Sequence, residues 1–294
     1  MSLDDTANAD PEDAASQLMR EGRVDEALEL ARRRVGEARL HGESDEQAGI
    51  GLVAALERLA ALEGEAGNVN AASAALHEAL ETATAIGAPL PWLARLRTSL
   101  ATLLDFSQSE ADAAPLYEQA ILDYESMEPP ETETAAQLRN NLAMIYKGLG
   151  KFALAEQHYL KAMEGFESCK GSQSEEVAAV YNNLGSLYYT AGFAEQALEM
   201  FTEGLRIRRA LLGDRHPDVA QSHGNLATVC HGLGDNDKAV EHFESCLDIL
   251  EANLPDEAAG FEEGALDYLA LLEMLGDERR AAALRKRMQK AQVS

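Results

Sequence analysis

Three segments of this chain align without a gap at a spacing of 42 residues: AQLRNNLAMIYKGLGKFALAEQHYLKAM from Ala136, AAVYNNLGSLYYTAGFAEQALEMFTEGL from Ala178 and AQSHGNLATVCHGLGDNDKAVEHFESCL from Ala220. Self-similarity at a fixed period constrains a fold strongly, because each repeat is then one unit that can bury its apolar face only against its neighbours. Leu142, Leu184 and Leu226 coincide, each followed by a small residue, Ala143, Gly185 or Ala227. Tyr146, Tyr188 and Cys230 follow, then Gly150, Gly192 and Gly234, then Ala155, Ala197 and Ala239. The aromatics Tyr159, Phe201 and Phe243 and the small residues Ala162, Gly204 and Cys246 complete the row.

Within each unit the apolar residues recur at steps of three and four, the mark of an amphipathic helix. The central glycine can adopt the left-handed conformation that ends a first helix. The small positions let a second helix approach it closely, and the aromatics fill the space beside them. A chain rich in alanine, leucine and glutamate with eight prolines suits long helices. The register extends outward with decay. Leu100, Ala101, Leu104, Ala113, Tyr117 and Ala120 keep it, but Gln108 holds the glycine position and Pro115 falls where the second helix should already run. Proline there predicts a late start or a kink. Leu59, Ala60, Gly67, Ala72, Leu76 and Ala79 fit with a slip of one residue, and Leu18, Gly22 and Ala27 mark a first unit. Gly276 and Ala281 mark a last one, with Arg285 in place of the aromatic. The fold class expected is all-α, with seven antiparallel helix pairs.

The order leucine–small, tyrosine, glycine, alanine, aromatic, small resembles the tetratricopeptide repeat, whose usual period is 34 residues. The longer period here lengthens each helix by roughly one turn. Residues 210–227, ALLGDRHPDVAQSHGNLA, resemble the linker of kinesin-light-chain-type repeats. The resemblance implies a right-handed solenoid with the first helix of each unit on a concave surface. Its inward positions would be Gln137, Asn140, Asn141, Met144 and Lys147, then Ala179, Asn182, Asn183, Ser186 and Tyr189, then Gln221, Gly224, Asn225, Thr228 and His231. The preceding unit adds Arg95, Thr98, Ser99, Thr102 and Asp105. Asparagine is a mediocre helix former, so its recurrence in NNLA calls for a reason. Its amide offers both donor and acceptor, suited to gripping the backbone of an extended peptide. Bonding between neighbouring helices is the other reading; Asn141, Asn183 and Asn225 serve either equally well, while Asn140 and Asn182 favour the peptide contact.

Enzyme chemistry finds little support. The seven histidines are scattered and neither CxxC nor HExxH occurs, which leaves no metal or other cofactor to expect. His216 before Pro217 reads as a turn into a helix, and Cys230 and Cys246 as packing residues. Three cysteines without an export signal suit reduced thiols in the cytoplasm. A net charge of −26 disfavours nucleic acid and anionic membranes. Against it, residues 279–290 carry six basic and no acidic side chains. They either pair with the acidic array or touch an acidic partner or lipid surface.

The domain reading is thus a disordered lead-in over 1–10, a repeat array over 11–278, and a basic capping helix or tail over 279–294. The function expected is a non-catalytic adaptor that binds a peptide or protein on the concave side. Two alternatives stand beside it: a scaffold docked by its repeat edges on a cytoskeletal filament, and a regulatory subunit of an enzyme complex. The sequence leaves the oligomeric state open.

Overall fold

The computed structural model describes residues 11–42 and 46–291, so the expected lead-in over 1–10 and the last three residues lie outside the described residues. Fourteen helices account for these residues, and no strand occurs among them. The first six are α1 Pro11–Arg20, α2 Val24–Gly42, α3 Glu46–Glu65, α4 Val69–Ala85, α5 Leu90–Phe106 and α6 Glu110–Glu125. The middle four are α7 Thr132–Gly148, α8 Phe152–Lys170, α9 Glu175–Thr190 and α10 Ala194–Leu212. The last four are α11 Pro217–Gly232, α12 Asn236–Ala252, α13 Ala258–Leu275 and α14 Glu278–Ala291. They are packed pairwise in sequence, seven hairpins in all, as a tetratricopeptide-like solenoid.

The chain divides into two compact units, Met1–Ile145 and Tyr146–Ser294. In the first, each helix from α1 to α6 packs on the next, and α1 also touches α3. A buried carboxylate braces its early part: Glu63 accepts from Arg32 Nη2 at 2.6 Å and from Asn68 Nδ2 at 2.8 Å. In the second, α8 to α14 follow the same order, and α9 touches α11.

The core of the second unit runs from Ala197 on α10 to Leu284 on α14, with Phe201, Phe243, Phe261 and Tyr268 as its largest members. Side chains of this kind each contribute about 1.5–3 kcal/mol when fully buried. The small positions act as expected. A Cβ at Gly185 would stand 2.6 Å from the Phe201 ring, so the missing side chain is what admits that ring against α9. Phe243 stacks on Tyr268 with ring centroids 5.4 Å apart. Cys230 and Cys246 are buried, and burial pushes the Cys246 thiol up to about 11, which keeps it a packing group.

Each turn within a hairpin closes in the same way. At Gly192 (φ 87°), the amide of Gly192 reaches the Tyr189 carbonyl and that of Phe193 the Tyr188 carbonyl, a pair of bonds that requires a left-handed residue. Gln108 makes the identical closure, its amide bonding Asp105 and that of Ser109 bonding Leu104. Its φ is 61°, the one positive value outside glycine among the described residues. The repeat therefore imposes its turn on a residue unsuited to it.

The late start expected at Pro115 does not occur. Helix α6 begins at Glu110, two residues beyond the left-handed position as in α8, α10 and α12, and carries Pro115 inside it. Proline removes the bond to the Ala111 carbonyl, but both residues are exposed, and water can take the vacant acceptor.

The basic side chains of α14 turn back onto the array. Arg280 meets Asp277 at 2.9 Å and Glu244 at 3.4 Å, and Arg287 meets both Asp248 and Glu251 at 2.7 Å. Arg285, in place of the repeat aromatic, pairs with Glu273 on α13.

Glycine at position 108 would remove the left-handed penalty at the cost of some unfolded-state freedom. Gln108→Gly should raise stability by about 0.5–1 kcal/mol, read as a shift of the urea unfolding midpoint at unchanged slope.

Candidate functional site

The first helix of each unit presents a polar stripe, and no residue of the inward series is buried from Arg95 to His231. In the first unit, Arg95 on α5 is taken up by Glu57 (2.9 Å), which also accepts from Trp92 Nε1 at 3.0 Å. On α7, Asn141 accepts from Gln137 Nε2 at 3.1 Å, and Met144 stands half exposed. Asn140 is half-buried and engaged, as is Asn183 in the second unit.

The second unit links the stripe from helix to helix. Lys147 Nζ donates to Ser186 Oγ at 2.9 Å, and burial holds its ammonium below the usual lysine range. Asn225 Nδ2 on α11 donates to Asn182 Oδ1 on α9 at 2.6 Å. The Tyr189 ring lies over Gly232, where a Cβ would stand 3.2 Å from its Oη. Part of this polarity therefore joins adjacent repeats. His231 turns away from the stripe, its Nδ1 lying 2.9 Å from Asn236 Oδ1 on α12.

Past α11 the linkage stops. Gly224 stands at the register position of Asn182, and it has no side chain to extend towards α13. A groove of about 470 Å³ is open there. Gln221, Gly224, Asn225 and Thr228 line it from α11, and Phe243, Cys246 and Leu250 from α12. On α13, Gly260 and Gly264 widen it and Glu263 and Asp267 charge it, with Glu257 and Asp218 lining it from the N-terminal ends of α13 and α11. Glu257, Glu263 and Asp267 form no ion pair among the described residues. Arg208, buried between α10 and α11, fixes the α11 wall through Gln221 Oε1 at 2.9 Å and Ser222 Oγ at 3.0 Å. The N-terminus of α11 is set by His216, whose Nδ1 accepts from the Asp218 amide at 3.2 Å, with Pro217 in the first turn.

A tetratricopeptide repeat model matches residues 134–210 and 176–252. The crystal structure of BtubC (BKLC) from P. vanneervenii is 34% identical, with a TM-score of 0.63, over 79% of this chain and 92% of that one. The chain belongs to the kinesin-light-chain-like tetratricopeptide repeat family. A putative kinesin light chain of Podosopora anserina with nearly identical repeats is 18% identical (TM-score 0.59), over 69% of this chain and 97% of that one. The C-terminal part of a tetratricopeptide repeat protein of Cytophaga hutchinsonii is 14% identical (TM-score 0.61), over 95% of each chain. These two share the fold. No curated protein matches the sequence. No helix among the described residues is long and apolar enough to cross a membrane.

Glu263 and Asp267 are absent from the inward series read from sequence, yet the signal for them was present. One further step of 42 residues carries Gln221 to Glu263 and Asn225 to Asp267. In this kinesin-light-chain-like array the amides of the inner units thus become carboxylates in the last one.

The Asn182–Asn225 bond should appear as coupling between the two sites. Single and double alanine variants are expected to give an interaction energy of about 0.5–1.5 kcal/mol in urea unfolding.

Proposed function

We propose that this chain is a non-catalytic adaptor that holds an extended, lysine- or arginine-bearing segment of another protein on its first-helix surface, in the groove between α11 and α13. The observation that carries this reading is the interrupted linkage. Where Asn182 bonds Asn225, the next step offers Gly224 and an open groove with Asp267 on its far wall. A helical wall of amides presents donors and acceptors to a peptide backbone, which in an extended segment lacks partners of its own. Carboxylates without a cation among the described residues suit a basic side chain, and no lysine or arginine lines the groove beside them. The acidic chain as a whole would speed the approach of such a partner.

A second reading is favoured by a separate row of side chains. Leu149, Phe193, Leu233 and Leu275 are 40, 52, 36 and 42% exposed at the turns inside successive hairpins of the second unit. An apolar edge of this kind suits docking on a filament or another broad protein surface.

Selection of short displayed peptides on the full chain separates the two. The groove reading expects enriched sequences with lysine or arginine. It also expects tenfold or greater weakening, about 1.4 kcal/mol or more, in Gly224→Asn and in the pair Glu263→Gln, Asp267→Asn. Gly224→Asn should fold normally, because the nearest neighbour of its Cβ is Cys246 Sγ at 3.7 Å, an ordinary contact. Binding that survives these variants but is lost in Phe193→Ser with Leu233→Ser would move the function to the edge.

A further inference from the structure

His223 on α11 and His242 on α12 face one another with their Nδ1 atoms 2.9 Å apart. The rings are tilted by 43° with centroids 5.2 Å apart, and both are half-buried. Two imidazole nitrogens at this distance form a hydrogen bond only if one carries a proton and the other does not. When both rings are cationic, two N–H groups and two like charges are pressed together.

The surroundings do not relieve that conflict. The charged groups facing the pair are Arg209 on α10, Asp214 in the turn after it, and Lys238 and Glu241 on α12. Asp214 already holds Arg209 at 2.6 Å, and Asp235 holds Lys238 at 2.6 Å. Among the described residues no carboxylate accepts a hydrogen bond from either ring. Burial and then the neighbouring imidazole hold His223 down to about 4, and burial likewise lowers His242.

We propose that His223 and His242 form an acid-sensitive latch that ties α11 to α12 through one shared proton and releases when both rings are protonated. Each residue directly precedes a groove residue, Gly224 on α11 and Phe243 on α12, so the latch joins the two helices that form the groove floor and one wall. It stands whether or not that groove is occupied.

The sign follows from the depressed folded-state values. Both rings titrate near 6.5 in the unfolded chain. The stability they contribute is present above that pH and is lost as the pH falls from about 6.5 towards 4, because the unfolded state then binds the extra protons.

The test is urea unfolding of the full chain at pH 7.5 and 5.0, for the wild type and for His223→Gln with His242→Gln. Glutamine keeps a donor and an acceptor but does not titrate. On moving to pH 5.0 the wild-type folded-to-unfolded ratio should fall on the order of tenfold further than that of the variant. Equal falls would overturn the latch. Should the variant fail to fold, imidazole ¹⁵N spectra of the wild type decide. Two of the seven histidines are expected to stay neutral at pH 5.5, one with its Nδ1 proton shared. Titration of all seven near 6.5 would overturn the proposal.

Discussion

Everything in this molecule depends on how closely the two helices of a hairpin approach. That approach is set by residues with almost no side chain: Gly185 leaves room for the Phe201 ring, and Gly204 brings α10 against the α9 backbone at Ala178. An aromatic ring contributes its burial energy only if the facing helix leaves room for it. A methyl at Gly185 would already collide with Phe201. A hairpin built in this way still has an apolar face to cover, and the next hairpin covers it. Stability therefore accrues through nearest-neighbour contacts.

Such an array is tolerant of local faults, and the chain carries several. Gln108 is driven into a left-handed turn and Pro115 sits inside a helix, yet the hairpin around them keeps its register. The burial of Ala113, Tyr117 and Ala120 outweighs a strained turn and one missing backbone bond. The end of the array is handled by charge. Where a further repeat would place an aromatic, Arg285 faces solvent and Glu273, Arg280 meets Glu244 on α12 and Asp277 in the turn before α14, and Arg287 meets Asp248 and Glu251 on α12. A helix that buries only Ala281 and Leu284 gains little from packing. Ion pairs with an acidic neighbour help to hold it, and pairs this exposed weaken as salt rises.

Function in a repeat array tends to sit where the repetition breaks, because identical units offer identical surfaces. The polar stripe of the second unit is consumed by its own bonds at Lys147–Ser186 and Asn182–Asn225. At Gly224 that consumption ends, and the amides give way to carboxylates on α13. One absent side chain and two changes from amide to acid turn a structural seam into an open, charged groove.

The helices, their pairing and their turns were legible in the sequence, because a 42-residue register with glycine, small and aromatic positions has a local physical reading at every point. The same register could have led to Glu263 and Asp267. It could not decide what the stripe residues do with their hydrogen bonds. Asn182 and Asn225 belong to different repeats, and only the spacing of α9 and α11 places one amide 2.6 Å from the other. Nor could it show that His231 turns to Asn236 while His223 meets His242, or that Pro115 leaves the start of α6 unmoved. A helical period determines which face a side chain occupies. Its partner is decided by the side chains that the neighbouring helices bring within about 3 Å, and that depends on tertiary packing.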